Sequence, residues 1–341
     1  MEEDMDTPKK AANVTKSSDE VMKAGQAARA PGNLYHRMKE GFHAAFPEDE
    51  HPTVTKQKAK EAQKHFRNFM VERGGHAMKN QANITSENGK TTLSKGAGRH
   101  TIGLALTPHN SAGLGTFNTC PKASTECKKN CLGFTAGGNK QYPETAFKAK
   151  LLRTQYMTEH PEHAARLVSH ELGMHEKKAA KAGYQSGFRG NVTSDLPYEH
   201  LMPKKFFEKH AKTQFYDYTK LASRVDHKDL PKNYKLALSH TGTGHAESND
   251  KDAIKTLDKG GVVAMVYHRG KNVPHPTHVE DVSSGKRYPI HDGDSDDNVD
   301  DRPKGSVSGL KLKGVTNEKA GHFANKVDPD GVIRINHPKT K

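Results

Sequence analysis

The chain contains no tryptophan, and its aromatic content is only 6%. Hydrophobic residues make up 32% of the 341 positions. Globular domains usually hold ~45–50%, so part of the chain is expected to lie outside a packed core. Long apolar runs are missing: nothing approaches the ~18–20 residues that a membrane span needs. The acidic start Met1-Glu2-Glu3-Asp4 also lacks the apolar stretch of a secretory signal. Only three cysteines occur, all between positions 120 and 131. An odd, clustered set is not a disulfide framework, and it fits a reducing, cytoplasmic setting with no membrane contact. The sequence has no Walker loop, no G-x-G-x-x-G and no H-E-x-x-H or H-x-x-E-H helix.

What is abundant is positive charge: Lys and Arg total 54 against 40 acidic residues, for a net +14. That balance points to a polyanionic partner, nucleic acid above all, with a solubilising basic surface as the plainer reading.

Periodicity divides the chain. Residues 1–32 are polar and read as a disordered tail. Residues 33–95 read as a basic helical extension and linker. Ala62, Phe66, Phe69 and Met70 form a helical stripe ended by Gly74-Gly75, and residues 81–97 form a polar connector. From about residue 96 the pattern alternates. Strands are expected over 100–106, 186–192, 213–218, 234–239, 261–267, 287–290 and 307–312. Helices are expected over 143–160, 161–182, 196–210 and 250–259. Alternation of this kind implies parallel pairing, hence an α/β fold with a parallel β/α barrel-like domain over 96–320, complete or incomplete, and a tail over 321–341.

Chemistry is expected first at the cysteines. Cys120, Cys127 and Cys131 follow the first core strand with C-x6-C-x3-C spacing. Thiolates are soft ligands that suit a metal centre. A 4Fe-4S cluster is preferred and would keep one iron open; zinc would need a fourth ligand, for which His109 is nearest. The other strand ends add polar groups on one side of the sheet. Asp195, Asp217, Lys220, His240, Asp292 and Asp294 are the catalytic candidates, and Asn191, Ser194 and Ser239 the cofactor-binding ones. Taken singly, Asp195 reads equally as a helix cap, and His240 is one of 22 histidines. The aspartate run 292–301 lacks glycine at the sixth position of a calcium loop and carries Pro303 at the twelfth, which excludes an EF-hand. A solvated acidic loop, or a single magnesium or substrate amine at Asp292 and Asp294, remain as its readings.

Several of these segments together resemble a bacteriophage family known as gene product 88. They are Cys120-Pro121 with Cys127 and Cys131, Arg189-Gly190-Asn191-Val192-Thr193-Ser194-Asp195, and Phe215-Tyr216-Asp217-Tyr218-Thr219-Lys220. His291-Asp292-Gly293-Asp294 and Gly309-Leu310-Lys311-Leu312-Lys313-Gly314 complete the set. The resemblance spans roughly residues 96–315 and implies a phage source and one shared site at the strand ends. A second resemblance, to radical SAM barrels, rests on the three-cysteine loop after the first strand and implies an iron–sulfur cluster with S-adenosylmethionine. It departs from that pattern in its cysteine spacing, usually C-x3-C-x2-C. Thr193-Ser194-Asp195 also stands where a glycine–glycine–glutamate segment is expected.

Three functions follow. One is an iron–sulfur or other metal enzyme acting on nucleic acid or nucleotides in phage replication. Another is a non-catalytic, zinc-stabilised DNA-binding or replication-associated protein. Magnesium-dependent nuclease chemistry at the aspartates is the third.

Overall fold

The computed structural model describes residues 17, 18, 20, 21, 33–134, 143–225, 227–313 and 320–336. The tail expected over 1–32 otherwise lies outside the described residues. Two helices open the fold, α1 (Leu34–Ala44) and α2 (Pro52–Gly74). Asn33 caps α1 by accepting the Tyr35 amide at 3.0 Å, and Pro52 starts α2 with its φ already helical. The expected stripe Ala62, Phe66, Phe69 and Met70 is buried. It packs against α5 (Glu144–Glu159) and α6 (Pro161–Lys181), which follow the short helices α3 (Gly89–Leu93) and α4 (Thr125–Lys129). Tyr156 of α5 stands edge-on to Phe66 and Phe69, centroids 4.8 and 5.1 Å apart, an arrangement worth about 0.5–1.5 kcal/mol per pair beyond its buried area. Gly41 lets α1 approach α6: a Cβ there would lie 2.4 Å from Pro161. Residues 33–80 thus share one hydrophobic core with the α/β part.

The expected polar connector 81–97 is anchored. Buried Glu171 of α6 accepts the Ile84 amide at 3.0 Å, the Thr85 amide at 2.8 Å and the Thr85 hydroxyl at 2.5 Å. Ser86 then exchanges two backbone hydrogen bonds with Gly103.

Among the described residues, ten strands make one sheet: β1 (Arg99–Gly103), β2 (Gln185–Arg189), β3 (Thr213–Thr219), β4 (Tyr234–Ser239), β5 (Val263–His268), β6 (His278–Asp281), β7 (Arg287–Asp292), β8 (Val307–Lys311), β9 (Asn325–Lys326) and β10 (Val332–Ile335). Strands β1 to β5 lie side by side in chain order and parallel, followed by β8 and β7, also parallel. Beyond them β6 pairs antiparallel with β7 and parallel with β10, and β9 joins β5. The mixed α/β class is as expected, but the sheet is not closed into a barrel. Its two ends lie far apart in the strand order: Ser86 bridges to the outer edge of β1, and the opposite end is β10, paired with β6. The expected C-terminal tail instead contributes β9 and β10. The helix expected over 196–210 is two short ones, α7 (Tyr198–Leu201) and α8 (Lys204–Lys209), broken at Pro203; α9 (Ala222–Val225) and α10 (Asp250–Asp258) follow.

The two faces of β1–β4 are dressed differently. Ile102, Phe188, Phe215, Tyr234 and Leu236 face the helices and join the large core. Strand alternation puts Arg99, Arg189, Tyr216, Tyr218 and Ala237 on the other face. The aspartate run covers that face. Arg99 donates to both oxygens of Asp300 at 2.6 and 2.8 Å, Arg189 donates to Asp297 at 2.6 Å, and Val299 packs with Tyr216 and Ala237. The run is therefore no solvated loop: Asp297 and Asn298 are buried.

Candidate functional site

A cavity of about 360 Å³ opens at the carboxyl ends of the parallel strands, where α/β folds gather ligand-binding groups. One wall is the loop after β1. Cys120 is fixed there by its own amide, which donates to Asn118 Oδ1 at 2.8 Å, and by the Asp195 amide, which donates to Thr119 O at 2.7 Å. Cys127 lies in α4, its amide received by the N-cap Ser124 at 3.1 Å. Cys131 follows, with its sulfur accepting the Gly133 amide at 3.3 Å. All three are free thiols and all line this cavity. Burial pushes the Cys120 thiol up to about 12, so it stays protonated until something displaces the proton. Lys150 reaches the same loop from α5, donating to Gly133 O at 2.8 Å; burial lowers its ammonium to about 8.

Among the described residues, no three His, Cys, Asp or Glu side chains converge as a ready-made metal site. His109 is no fourth ligand in this arrangement. Its ring packs on Phe134, centroids 5.2 Å apart, and its Nδ1 meets Asn110 Oδ1 at 2.9 Å.

The turn after β2 is organised by Asn191. Its Oδ1 accepts the Ser194 hydroxyl at 2.8 Å and the Leu196 amide at 2.7 Å; its Nδ2 donates to Leu196 O at 2.8 Å. The amide is fully used, so Asn191 shapes the turn while Thr193, Ser194 and Asp195 face the cavity. Asp195 is ion-paired with Arg224, which also forks onto Glu199 at 2.6 and 3.0 Å; burial raises the Asp195 carboxyl against that pairing. Asp217 is not a cavity residue. Alternation along β3 turns it to the helix side, where it accepts the Asn191 amide at 2.6 Å and the Tyr234 hydroxyl at 2.6 Å; burial pushes its carboxyl up to about 7. Its neighbour Tyr218 faces the cavity instead.

From β4, Ser239 accepts the Lys220 ammonium at 3.1 Å, and that ammonium also reaches His240 O at 3.3 Å. His240 lines the cavity, but both ring nitrogens are taken, Nε2 at 2.7 Å from Asp250 and Nδ1 at 3.2 Å from Asn325 Nδ2. Since Asn325 donates, Nδ1 is the acceptor and Nε2 carries the proton given to Asp250. His240 is thus a positioned group with no nitrogen left for substrate.

Asp294 reaches the cavity, paired with Lys313 at 2.8 Å and accepting the Lys311 amide at 2.9 Å, whereas Asp292 stays exposed and caps the Asp294 amide at 2.9 Å. Asp296 is held by Arg302 and Asp297 by Arg189. Among the described residues, every carboxylate lining the cavity therefore already has a cation, and no free pair is offered to magnesium.

Arg189 and Asp297, which stand outside the catalytic and cofactor-binding candidates, form a pair in this site. Arg189 lies 4.6 Å from the Tyr218 ring centroid, and both Tyr216 and Tyr218 donate to Asp297 at 3.1 Å. The available signal was parity: Arg189 ends β2 and Tyr218 nearly ends β3, on the face opposite Phe188 and Asp217.

Compared with known proteins, residues 71–326 match the family model described as Gene product 88. No curated protein and no solved structure matches the chain.

Proposed function

The chain belongs to the gene product 88 family, and from that premise we propose that its strand-end cavity is the active site of a metal-dependent enzyme acting on nucleotides or nucleic acid. The observation that carries this reading is the inventory of groups in the cavity. Its lining carboxylates are ion-paired and its imidazole is bonded at both nitrogens, which leaves the thiols and ammonium groups as the reactive set. Three thiols on one loop are donors for a soft metal, and an amide donating to the Cys131 sulfur is the kind of contact that tunes such ligands.

Cys120, Cys127 and Cys131 would hold the centre, preferably an iron–sulfur cluster, which supplies electron transfer and one open metal position when bound. Because the three thiols are not gathered beforehand, loading draws the loop together and releases thiol protons. S-adenosylmethionine is the first co-substrate to try at the open position. Lys220 and Lys311 would attract the anionic part of the substrate, and the stacked Arg189–Tyr218 pair supplies a flat wall for a base.

The test is anaerobic purification and reconstitution with iron and sulfide. A brown protein absorbing near ~400 nm, whose colour is lost in the Cys120→Ser, Cys127→Ser, Cys131→Ser triple variant, supports the proposal. A colourless protein holding one equivalent of zinc would turn the reading to a zinc-stabilised binding protein. Colour that survives loss of all three thiols would end it.

A further inference from the structure

A second cavity, of about 580 Å³, lies away from the strand ends, between α2, α6 and the end of α8. Its floor is apolar, formed by Phe46, Ala59 and Met174 among others, with Met174 49% exposed. Its rim is cationic. Lys56 stands on the α2 bank, and Lys177, Lys209 and Lys212 on the other. None of these four is ion-paired among the described residues. The acidic group that lines the cavity is Glu176, already committed to His210 at 3.1 Å and Thr213 at 2.7 Å. Arg166 is likewise committed, to Glu50 and Glu162.

The positive rim continues beyond the cavity. Lys56, Lys60, Lys64 and Arg67 are all exposed and recur every three or four residues, so they form one stripe along α2. At ~1.5 Å per residue the stripe runs for about 16 Å.

We infer that this groove and the α2 stripe form a docking surface for single-stranded nucleic acid. The charge suits a row of phosphates, and the apolar floor suits an unpaired base laid against Phe46 and Met174, a combination that a strand supplies and an inorganic anion does not. Phe46 is already braced for such a load by Phe206, edge-on at 5.6 Å, and faces the Lys209 ammonium at 5.8 Å. A duplex keeps its bases stacked and would leave the floor unused. The surface stands independently of the chemistry at the thiols, though it would give that site a way of holding a polymeric substrate.

The experiment uses the full chain and a labelled oligothymidylate of ~20 nucleotides, followed by anisotropy between ~50 and ~200 mM salt. Wild type is expected to bind with steep salt dependence. The triple variant Lys56→Glu, Lys177→Glu, Lys212→Glu should lose at least ~tenfold in affinity, with the log–log slope falling by about two, from ~0.7 per lost phosphate contact. The matched variant Lys251→Glu, Lys271→Glu, Lys304→Glu carries the same charge change at exposed positions elsewhere and should bind like wild type. The triple cysteine variant should also keep binding, which separates this surface from the metal reading. Equal loss in both lysine variants, tighter binding of duplex than of single strand, or no binding at ~50 mM salt would overturn the assignment.

Discussion

Asp297 accepts from Arg189, Tyr216 and Tyr218 at once, at the cavity wall, and Asp297, Arg189 and Tyr216 are all buried. Asp297→Ala leaves a guanidinium buried without its counter-charge, and such a break costs about 3–5 kcal/mol. Urea unfolding should show that loss, while Asp292→Ala, at an exposed carboxylate, should fall within about 0.5 kcal/mol of wild type. A second residue-scale effect concerns His160, at the α5–α6 junction, which packs against His65, His163, Phe69 and Tyr156. Burial, with neighbouring His65, His163 and Arg73, lowers its pKa from 6.5 to about 4. Between those values the unfolded chain binds a proton that the folded chain refuses. The contribution is therefore complete above pH 6.5 and is lost as pH falls towards 4. The thermal midpoint should drop over that window, and His160→Phe, which keeps a ring and removes the titration, should flatten the drop. Asp217 shows what residue-level reading lacks: its place at a strand end was legible, but only the parity of β3 tells that it serves Tyr234 and not the cavity.

At the scale of elements, the parallel strands and their helices were legible because each combines an apolar run with clear turn chemistry. The strands beyond β7 were not. β6 reads His278-Val279-Glu280-Asp281 and is paired by β10, more than fifty positions later, so neither segment signals its partner locally. The same dependence on distant chain marks Gly242. Its φ is +92°, and a Cβ there would fall 1.5 Å from the His322 carbonyl oxygen. Gly242→Ala should therefore push the 321–326 segment, with Phe323 and β9, off the loop that follows β4. A cost of about 1–3 kcal/mol comes from the backbone conformation alone. Amide exchange at Asn325 and Lys326 should quicken selectively; unchanged protection there would show that the segment is held by other contacts.

For the whole molecule, the shared core makes the amino-terminal helices structural. Phe42, Phe66 and Phe69 are buried in the same cluster as Leu152, Tyr156 and Leu172. Starting the chain at residue 96 would expose that face, so the fragment should aggregate or lose cooperative unfolding, whereas the full chain should melt in one transition. No helix among the described residues is long and apolar enough to cross a membrane. The sequence by itself determined the α/β class, the places of the principal strands along the chain and the three thiols in the connection after β1, because periodicity, turn residues and spacing are local properties. Only the tertiary structure decided that the sheet stays open, that the aspartate run covers one of its faces, and that Asp195, Asp294 and Asp297 are neutralised by Arg224, Lys313 and Arg189. Those outcomes depend on which distant residues meet, and pairing of charges across the fold leaves no periodic trace in the chain.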